Sequence, residues 1–350
     1  MKKTGEKKIV VAMSGGVDSS VSAALLKKEG FDVTGVFMKL NEFSSDAEKR
    51  ARRIASILKI PFHVLDLRRE FNQKVIRCFL DDYRQGITPN PCVVCNEQIK
   101  FGLLLEKASR LKADYIGTGH YARKQEIKNS KQGTAYKLLA GKDENKDQSY
   151  FLWKLDQERL KHVVFPVGNL KKSEVRKLAK KLKLPVYETP ESQEICFIPG
   201  EIGDFLAKHL AYKKGDIVDT HGKYLGKHDG LYFYTIGQRK GIKVSNGPFY
   251  VVGKDLKKNW LIVSKNEKDL QKKDARVKDI NWILDKVPEL PMKVEVKIRY
   301  RSKPASAAIS KNLKTAIYNL KFTRPQRAIT PGQSAVFYKG DELLGGGVII

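Results

Sequence analysis

Between Lys7 and Arg123, short apolar runs and helical-period segments take turns, and this alternation is the strongest constraint on the fold. "KKIVVAM" reads as a short buried strand, and "DSSVSAALLKKEG" as a helix with Asp18 or Ser19 near its N-cap and Gly30 beyond its end. "DVTGVFM" is the next strand, followed by a helical "SDAEKRARRIASILK" and a strand "PFHVLDL". "EFNQKVIRCFLDDYRQG" and "IKFGLLLEKASRLKA" then read as helices, and "DYIGTGHYA" as a strand running into a loop. Such alternation predicts an α/β fold whose parallel sheet is covered on both faces, because each crossover helix must pack back over the sheet.

After about residue 205 the texture changes. Short alternating segments appear between Gly, Asn and Asp turn signals. In "KVEVKIRYR" (Lys293–Arg301), Val294, Val296, Ile298 and Tyr300 share one face of a predicted strand, with mostly cations opposite. Boundaries near Gly200–Gly215 and Lys273–Asp279 divide the chain into 1–205, a small β-rich 206–275, and a C-terminal barrel-like or sandwich part, 276–350. The three glycines at 345–347 read as a strand-end loop, Trp153, Trp260 and Trp282 as core, and Cys78 as a small buried hydrophobe. Lys257–Lys258 and Lys272–Lys273 read as solvated turns.

Charge speaks to partners. Against 39 Asp+Glu the chain carries 67 Lys+Arg, a formal +28, which attracts polyanions and raises encounter rates with them. Arg299, Tyr300, Arg301 and Lys303 cluster on the predicted C-terminal strand, a cationic surface with an aromatic that suits RNA phosphates and a stacked base. Four cysteines are too few for a secreted disulfide scaffold. The start "MKKTGEKKIVVAM" has a basic n-region but too short an apolar run for a signal peptide, and no stretch reaches the ~18 apolar residues of a membrane span. The expectation is a cytoplasmic protein with no membrane partner.

Two motifs carry chemistry. "AMSGGVDSS" (Ala12–Ser20) lies where a strand ends and a helix begins: Gly15 and Gly16 permit a sharp turn and close approach to an anion, and Ser14, Ser19 and Ser20 add hydroxyls. It is neither a Walker loop nor a dinucleotide turn. The string resembles the SGGxDS pyrophosphate loop of the N-type ATP pyrophosphatases. That resemblance implies cleavage of ATP between its α and β phosphates, with Asp18 a candidate Mg²⁺ ligand and Ser14, Gly15, Gly16 and Ser19 around pyrophosphate. The second motif, "NPCVVCNEQIKF" (Asn90–Phe101), sets Cys92 and Cys95 three positions apart. Spacing alone leaves a half zinc site, a redox dithiol, part of an iron–sulfur site and a catalytic thiol all open. A zinc site would need further ligands, for which His120 is available in composition only.

Further segments follow in order: "GVFMK", "TPNPCVVCNEQIKFG", "GTGHYAR", "KDQSYFL", "ESQEICFIP" and "YTIGQRKG". Together, over nearly the full chain, they resemble the tRNA-specific 2-thiouridylases. The resemblance implies a transferase of tRNA processing. It would adenylate the 2-oxygen of the wobble uridine with ATP and deliver sulfur from a Cys196 persulfide, with Cys95 the partner thiol that forms a transient disulfide with Cys196. It implies ATP against Ala12, Met13, Ser14, Gly15, Gly16, Val17, Asp18, Ser19, Met38 and Gly119. It places tRNA, of the Lys, Glu and Gln isoacceptors, against Asn90, Pro91, Cys92, His120, Lys146, Asp147, Gln148, Tyr300, Arg301 and Gln333. The implied donor is a cysteine desulfurase or sulfur-relay protein. The best-known family members carry an acidic residue where this chain has Cys92, although the motif resembles a cysteine version too, and a thiol does not replace a carboxylate. The alternative mechanism, suggested by related thiolation enzymes, has Cys92, Cys95 and Cys196 ligating a [4Fe–4S] cluster with one iron open to sulfide. Two other classes remain: a small-molecule ligase sharing the pyrophosphate loop, and a non-catalytic RNA-binding protein with a metal-stabilised knuckle. The turn-rich stretch before Cys92 and "CFIPGEIG" after Cys196 suggest that the two thiols meet through mobile loops.

Overall fold

A computed structural model describes residues 7–129, 133–189, 195–312 and 314–350. The first part is built on a five-stranded parallel sheet of order β3-β2-β1-β4-β7. Its strands are β1 (Lys8–Ala12), β2 (Asp32–Lys39), β3 (Phe62–Asp66), β4 (Tyr115–Gly117) and β7 (Val163–Val164). Side chains alternate across the pleat, so Ile9 and Val11 face one core while Val10 faces another. On the Ile9/Val11 side pack α1 (Val17–Lys28), α2 (Ser45–Leu58) and the helix Lys172–Lys181, through Val21, Leu26, Ile54, Val175 and Ala179. On the other side a continuous helical run, 91–110, contributes Val93, Phe101, Leu104 and Ala108. The covered parallel sheet expected from the alternation is present.

Two details differ at helix starts. The N-cap of α1 is Gly16, two or three residues earlier than the expected Asp18 or Ser19, and no side chain caps it. The first N–H groups of that helix therefore remain open toward the loop. Pro91 occupies the first turn of the 91–110 helix, where its missing N–H costs nothing, so Cys92 and Cys95 stand on a helix and not in a loop. The middle of that helix, Asn96–Leu103, is wound with the wider π pitch, which rotates Lys100 relative to a regular continuation.

The second part is a four-stranded sheet, order β10-β11-β8-β9, of β8 (Gly215–Val218), β9 (Tyr224–His228), β10 (Tyr250–Asp255) and β11 (Trp260–Ser264). Its core is Ile217, Val251, Leu261 and Val263. The third part consists of β12 (Gln271–Trp282), β13 (Met292–Lys297), β14 (Ala305–Lys311), β15 (Tyr318–Arg327), β16 (Ser334–Lys339) and β17 (Glu342–Ile349). Antiparallel pairing runs β12-β15-β14-β13-β16-β17, and β17 returns to β12, closing a barrel. Val294, Val296 and Ile298 point inward as the alternation requires.

A hairpin that no local pattern announced, β5 (Ala122–Asn129) with β6 (Gly133–Ala140), leaves the first part and extends the barrel sheet at β17. Leu138, Leu343, Val336 and Tyr338 join the core under β1, so the first and third parts share one hydrophobic cluster around Trp153. The glycines at 345–347 lie inside β17 and do not form a loop. A Cβ on Gly346 would come within 2.8 Å of Trp153, so side-chain absence is what lets the indole pack there. Cys78 is exposed rather than buried, because it lies off the Val75–Phe79 face of its helix. Arg299–Lys303 lie beyond the end of β13, in a turn, and Lys272–Lys273 lie on β12. No helix among the described residues is long and apolar enough to cross a membrane.

Replacing Gly346 by Val forces its new side chain into Trp153 and costs about 1–3 kcal/mol. Thermal unfolding will show a lowered Tm for this variant, whereas Gly203→Ala, with open space around it, leaves Tm unchanged or raised.

Candidate active site

The loop after β1 turns through Gly15, at φ +74°, and delivers Ser14–Ser19 to the open N-terminus of α1. Ser19 Oγ accepts from Ser14 N (3.1 Å) and lies 3.2 Å from Ser14 Oγ, which holds the loop in a curl. Asp18 in the first turn is gripped from two elements. Lys172 Nζ lies 2.7 Å from each of its oxygens, and Tyr121 Oη donates to Oδ1 at 2.7 Å. The loop after β4 closes against this turn at Gly119, where a Cβ would lie 2.8 Å from Ser19 N. Only glycine allows that approach.

Two cavities meet at the loop. The first, about 510 Å³, has Ala12, Met13, Met38, Gly119 and His120 on its walls. The second, about 650 Å³, is walled by Asn90, Pro91, Cys92, Lys146 and Gln333, with Gly16 and Val17 at its inner end and Tyr300 and Arg301 from the barrel. Ser14, Asp18, Lys100, Gln148 and Cys196 line both. Ser19 belongs to the first only, and Gly15 to neither. On the second wall Phe151 and Tyr300 pack against each other at a tilt of 43° with centroids 4.4 Å apart, and Arg301 lies 5.9 Å from the Tyr300 ring. That is an aromatic and cationic platform suited to an unstacked base.

Asp147, expected on the RNA side, faces the interior. Its Oδ1 accepts from Gly141 N and Ser149 N, both at 3.0 Å, and its Oδ2 pairs with Lys297 at 3.1 Å. It braces the turn that carries Gln148, whose side chain accepts from Tyr121 N at 3.0 Å. His120 is buried, with Nδ1 2.8 Å from Thr118 Oγ1. Burial and the nearby Lys100 charge hold its imidazole well below the usual range, so it is neutral at pH 7.

The two distant cysteine segments are brought together by packing: Cys95 stands on a helix, while Cys196 lies in an irregular segment, as expected for it. Cys95 is buried in a cluster with Phe71, Phe79 and Ile99, and Phe197 and Ile198, which follow Cys196, enter the same cluster. Asn41 Nδ2 donates to the Cys196 carbonyl at 3.3 Å. Of the motif around Cys196, residues 191–194 lie outside the described residues. All four cysteines are free thiols. Loss of hydration pushes Cys92, Cys95 and Cys196 up, Cys95 to about 12, while the Lys100 ammonium pulls each of them back down. Cys92 and Cys196 are exposed, whereas Cys95 turns into the core. Among the described residues no three His, Cys, Asp or Glu side chains gather as a metal site would require.

Sequence reasoning missed several of these groups. Lys100 sits inside the NPCVVCNEQIKF stretch, and a cation near thiols was the available signal. Tyr121 and Phe151 lie inside the GTGHYAR and KDQSYFL segments but were not singled out there, while Lys172 and Asn41 come from segments that gave no signal. Nor was the support of the Cys92 wall legible. Lys254 Nζ donates to Gly86 O (3.0 Å), Thr235 meets Thr88 (3.2 Å), and Gln333 Nε2 donates to Thr88 O and Pro89 O (3.0 and 3.1 Å). The second and third parts thus hold the loop that starts the cysteine helix.

Three family models account for the chain in order. Residues 7–200 match a tRNA methyl transferase HUP domain, 203–265 a tRNA methyl transferase PRC-barrel domain, and 272–349 an aminomethyltransferase beta-barrel domain. A tRNA-specific 2-thiouridylase MnmA of Syntrophomonas wolfei is 47% identical over 98% of this chain and 99% of its own length. The chain belongs to the tRNA-specific 2-thiouridylase family. A second relative, tRNA-specific 2-thiouridylase MnmA 2 of a Thermoanaerobacter species, is also 47% identical, covering 98% of this chain and 97% of its own. The Clostridium perfringens member is 44% identical, with 98% of each covered. The family's curated members are named for thiolation although the matched models carry methyl-transfer descriptions.

The thiol environment makes a direct prediction. At pH 8, alkylation followed by peptide mass spectrometry will label Cys78, Cys92 and Cys196 well before Cys95, whose rate will still be climbing above pH 10. Lys100→Met removes the cation that favours thiolate, so Cys196 will label more slowly at the same pH; an unchanged rate would remove Lys100 from the thiol environment.

Proposed function

We propose that this chain catalyses ATP-dependent 2-thiolation of the wobble uridine in tRNA. One observation carries the reading: Cys196 stands on the wall common to a phosphate-loop cavity and an RNA-facing cavity, beside Ser14, Asp18, Lys100 and Gln148. A carbon activated by phosphate from one side and presented as a base from the other would sit there.

In this reading ATP occupies the first cavity, its phosphates on the open N–H groups of α1 and the Ser14–Ser19 curl. The anticodon base leaves its stack, which is cheap in a single-stranded loop, and rests by the Phe151–Tyr300 platform. Its 2-oxygen attacks the α-phosphorus and pyrophosphate leaves. The terminal sulfur of a Cys196 persulfide then attacks C2 and AMP departs. Cys95 thiolate next attacks the Cys196 sulfur, forming a disulfide and leaving one sulfur on the base; a thiol donor later reduces the disulfide. Cys95 must emerge from the core for this step, and Lys100 favours its ionisation. Asp18 is a hard oxygen donor facing both cavities and would hold Mg²⁺ in exchange for Lys172, neutralising phosphate charge. Lys146 and Arg301 meet the RNA phosphates. The sulfur enters from a persulfide-carrying desulfurase or relay protein.

Incubation with ATP, a persulfide donor and unmodified tRNA should yield one AMP and one pyrophosphate per 2-thiouridine. Cys196→Ser should stop thiolation while leaving tRNA-dependent AMP formation, and Asp18→Asn should slow AMP formation on the order of 100-fold. Full thiolation by Cys196→Ser would remove the persulfide step. AMP formation that needs no tRNA would point to a small-molecule ligase instead.

A further inference from the structure

Phe43 is the most exposed of the large apolar side chains described, at 72%. It does not hang from a loose loop. Asn41 Oδ1 accepts from Phe43 N at 3.1 Å, and Ser44 Oγ donates to Asn41 O at 2.8 Å. The intervening Glu42 pairs with Arg68 at 2.5 and 2.7 Å, and Arg68 is itself tied to Asp66 on β3. The turn thus presents Phe43 from a hydrogen-bonded backbone rather than from a loose segment.

The ring lines the first cavity, with Met13, Met38 and Ala47, and is absent from the walls of the second. The cavity is lined by Ser14 and Ser19 of the phosphate loop and also by the apolar Phe37, Met38 and Phe43. A nucleotide with its phosphates on the loop has these apolar side chains within the same cavity to receive its base. We propose that Phe43 stacks on the adenine of bound ATP and sets both the affinity and the base preference of that cavity. Every base has a π face, and a side chain carried by an already formed turn loses little backbone freedom when it stacks. The Asn41 contact to Cys196 O places the same turn against the thiol segment, so the adenine-stacked turn also supports the sulfur-carrying side of the site. This inference rests on the reading that the first cavity takes ATP.

The test uses the full chain and three probes: α,β-methylene ATP, inorganic pyrophosphate and unmodified tRNA. Phe43→Ala should weaken the ATP analogue about ten-fold or more. Phe43→Leu, which keeps apolar bulk without a π face, should fall between Ala and wild type. Neither should alter pyrophosphate or tRNA affinity, and Phe43→Trp should bind the analogue with quenching of its new fluorescence. Unchanged analogue affinity in Phe43→Ala overturns the proposal while leaving the proposed function standing. Equal loss for analogue and pyrophosphate, or loss for tRNA alone, also overturns it, by showing a damaged loop or an RNA contact. A wild-type chain that binds pyrophosphate but no ATP analogue overturns both readings together.

Discussion

The site depends on where the order of the parallel sheet reverses. From β1 the chain steps to β2 and β3 on one side and to β4 on the other, so the loops leaving β1 and β4 diverge and open a crevice at the carboxyl edge. The Ser14–Ser19 curl comes from the first loop, Gly119 and His120 from the second, and Asn41–Ser44 from the end of β2. These loops face one cavity because the strands carrying them are neighbours in register. The open N-terminus of α1 lies in the same crevice, which gives it a ready anion site before any side chain is considered.

A crevice of this kind binds nucleotides in many folds and does not by itself choose a second substrate. Here the choice comes from the wall opposite, assembled from all three parts of the chain. The 91–110 helix supplies Cys92 and Lys100, the barrel supplies Tyr300, Arg301 and Gln333, and Lys254 and Thr235 fix the loop between them. The β5–β6 hairpin fastens the barrel to the sheet domain, reinforced by Arg123 with Asp341 and Lys137 with Glu342. Shared burial around Trp153 gives that junction a hydrophobic core rather than a hinge-like contact.

Electrostatics at the meeting point pull in two directions. Low hydration opposes thiolate at Cys92, Cys95 and Cys196, and bound phosphates would oppose it further. Lys100 acts against both, and Lys146 and Arg301 add positive charge to the wall of the second cavity. The general excess of cations in the chain is thus represented at this wall, and in the proposed function it is where the RNA phosphates dock.

By itself the sequence determined the alternating α/β half, the inward face of β13, the phosphate loop at a strand–helix junction and, through ordered motifs, the family. Each of these is a local pattern, fixed by side-chain period or by the backbone freedom of glycine. Tertiary structure alone decided which distant groups meet. It placed Lys172 and Tyr121 on Asp18, buried Asp147 behind Gln148, turned Cys95 into the core and left Cys78 outside. It also put three glycines inside a strand, one of which, Gly346, gives an indole room. Such outcomes depend on long-range pairing and packing, whose partners lie tens to hundreds of residues away and leave no period in the sequence between them.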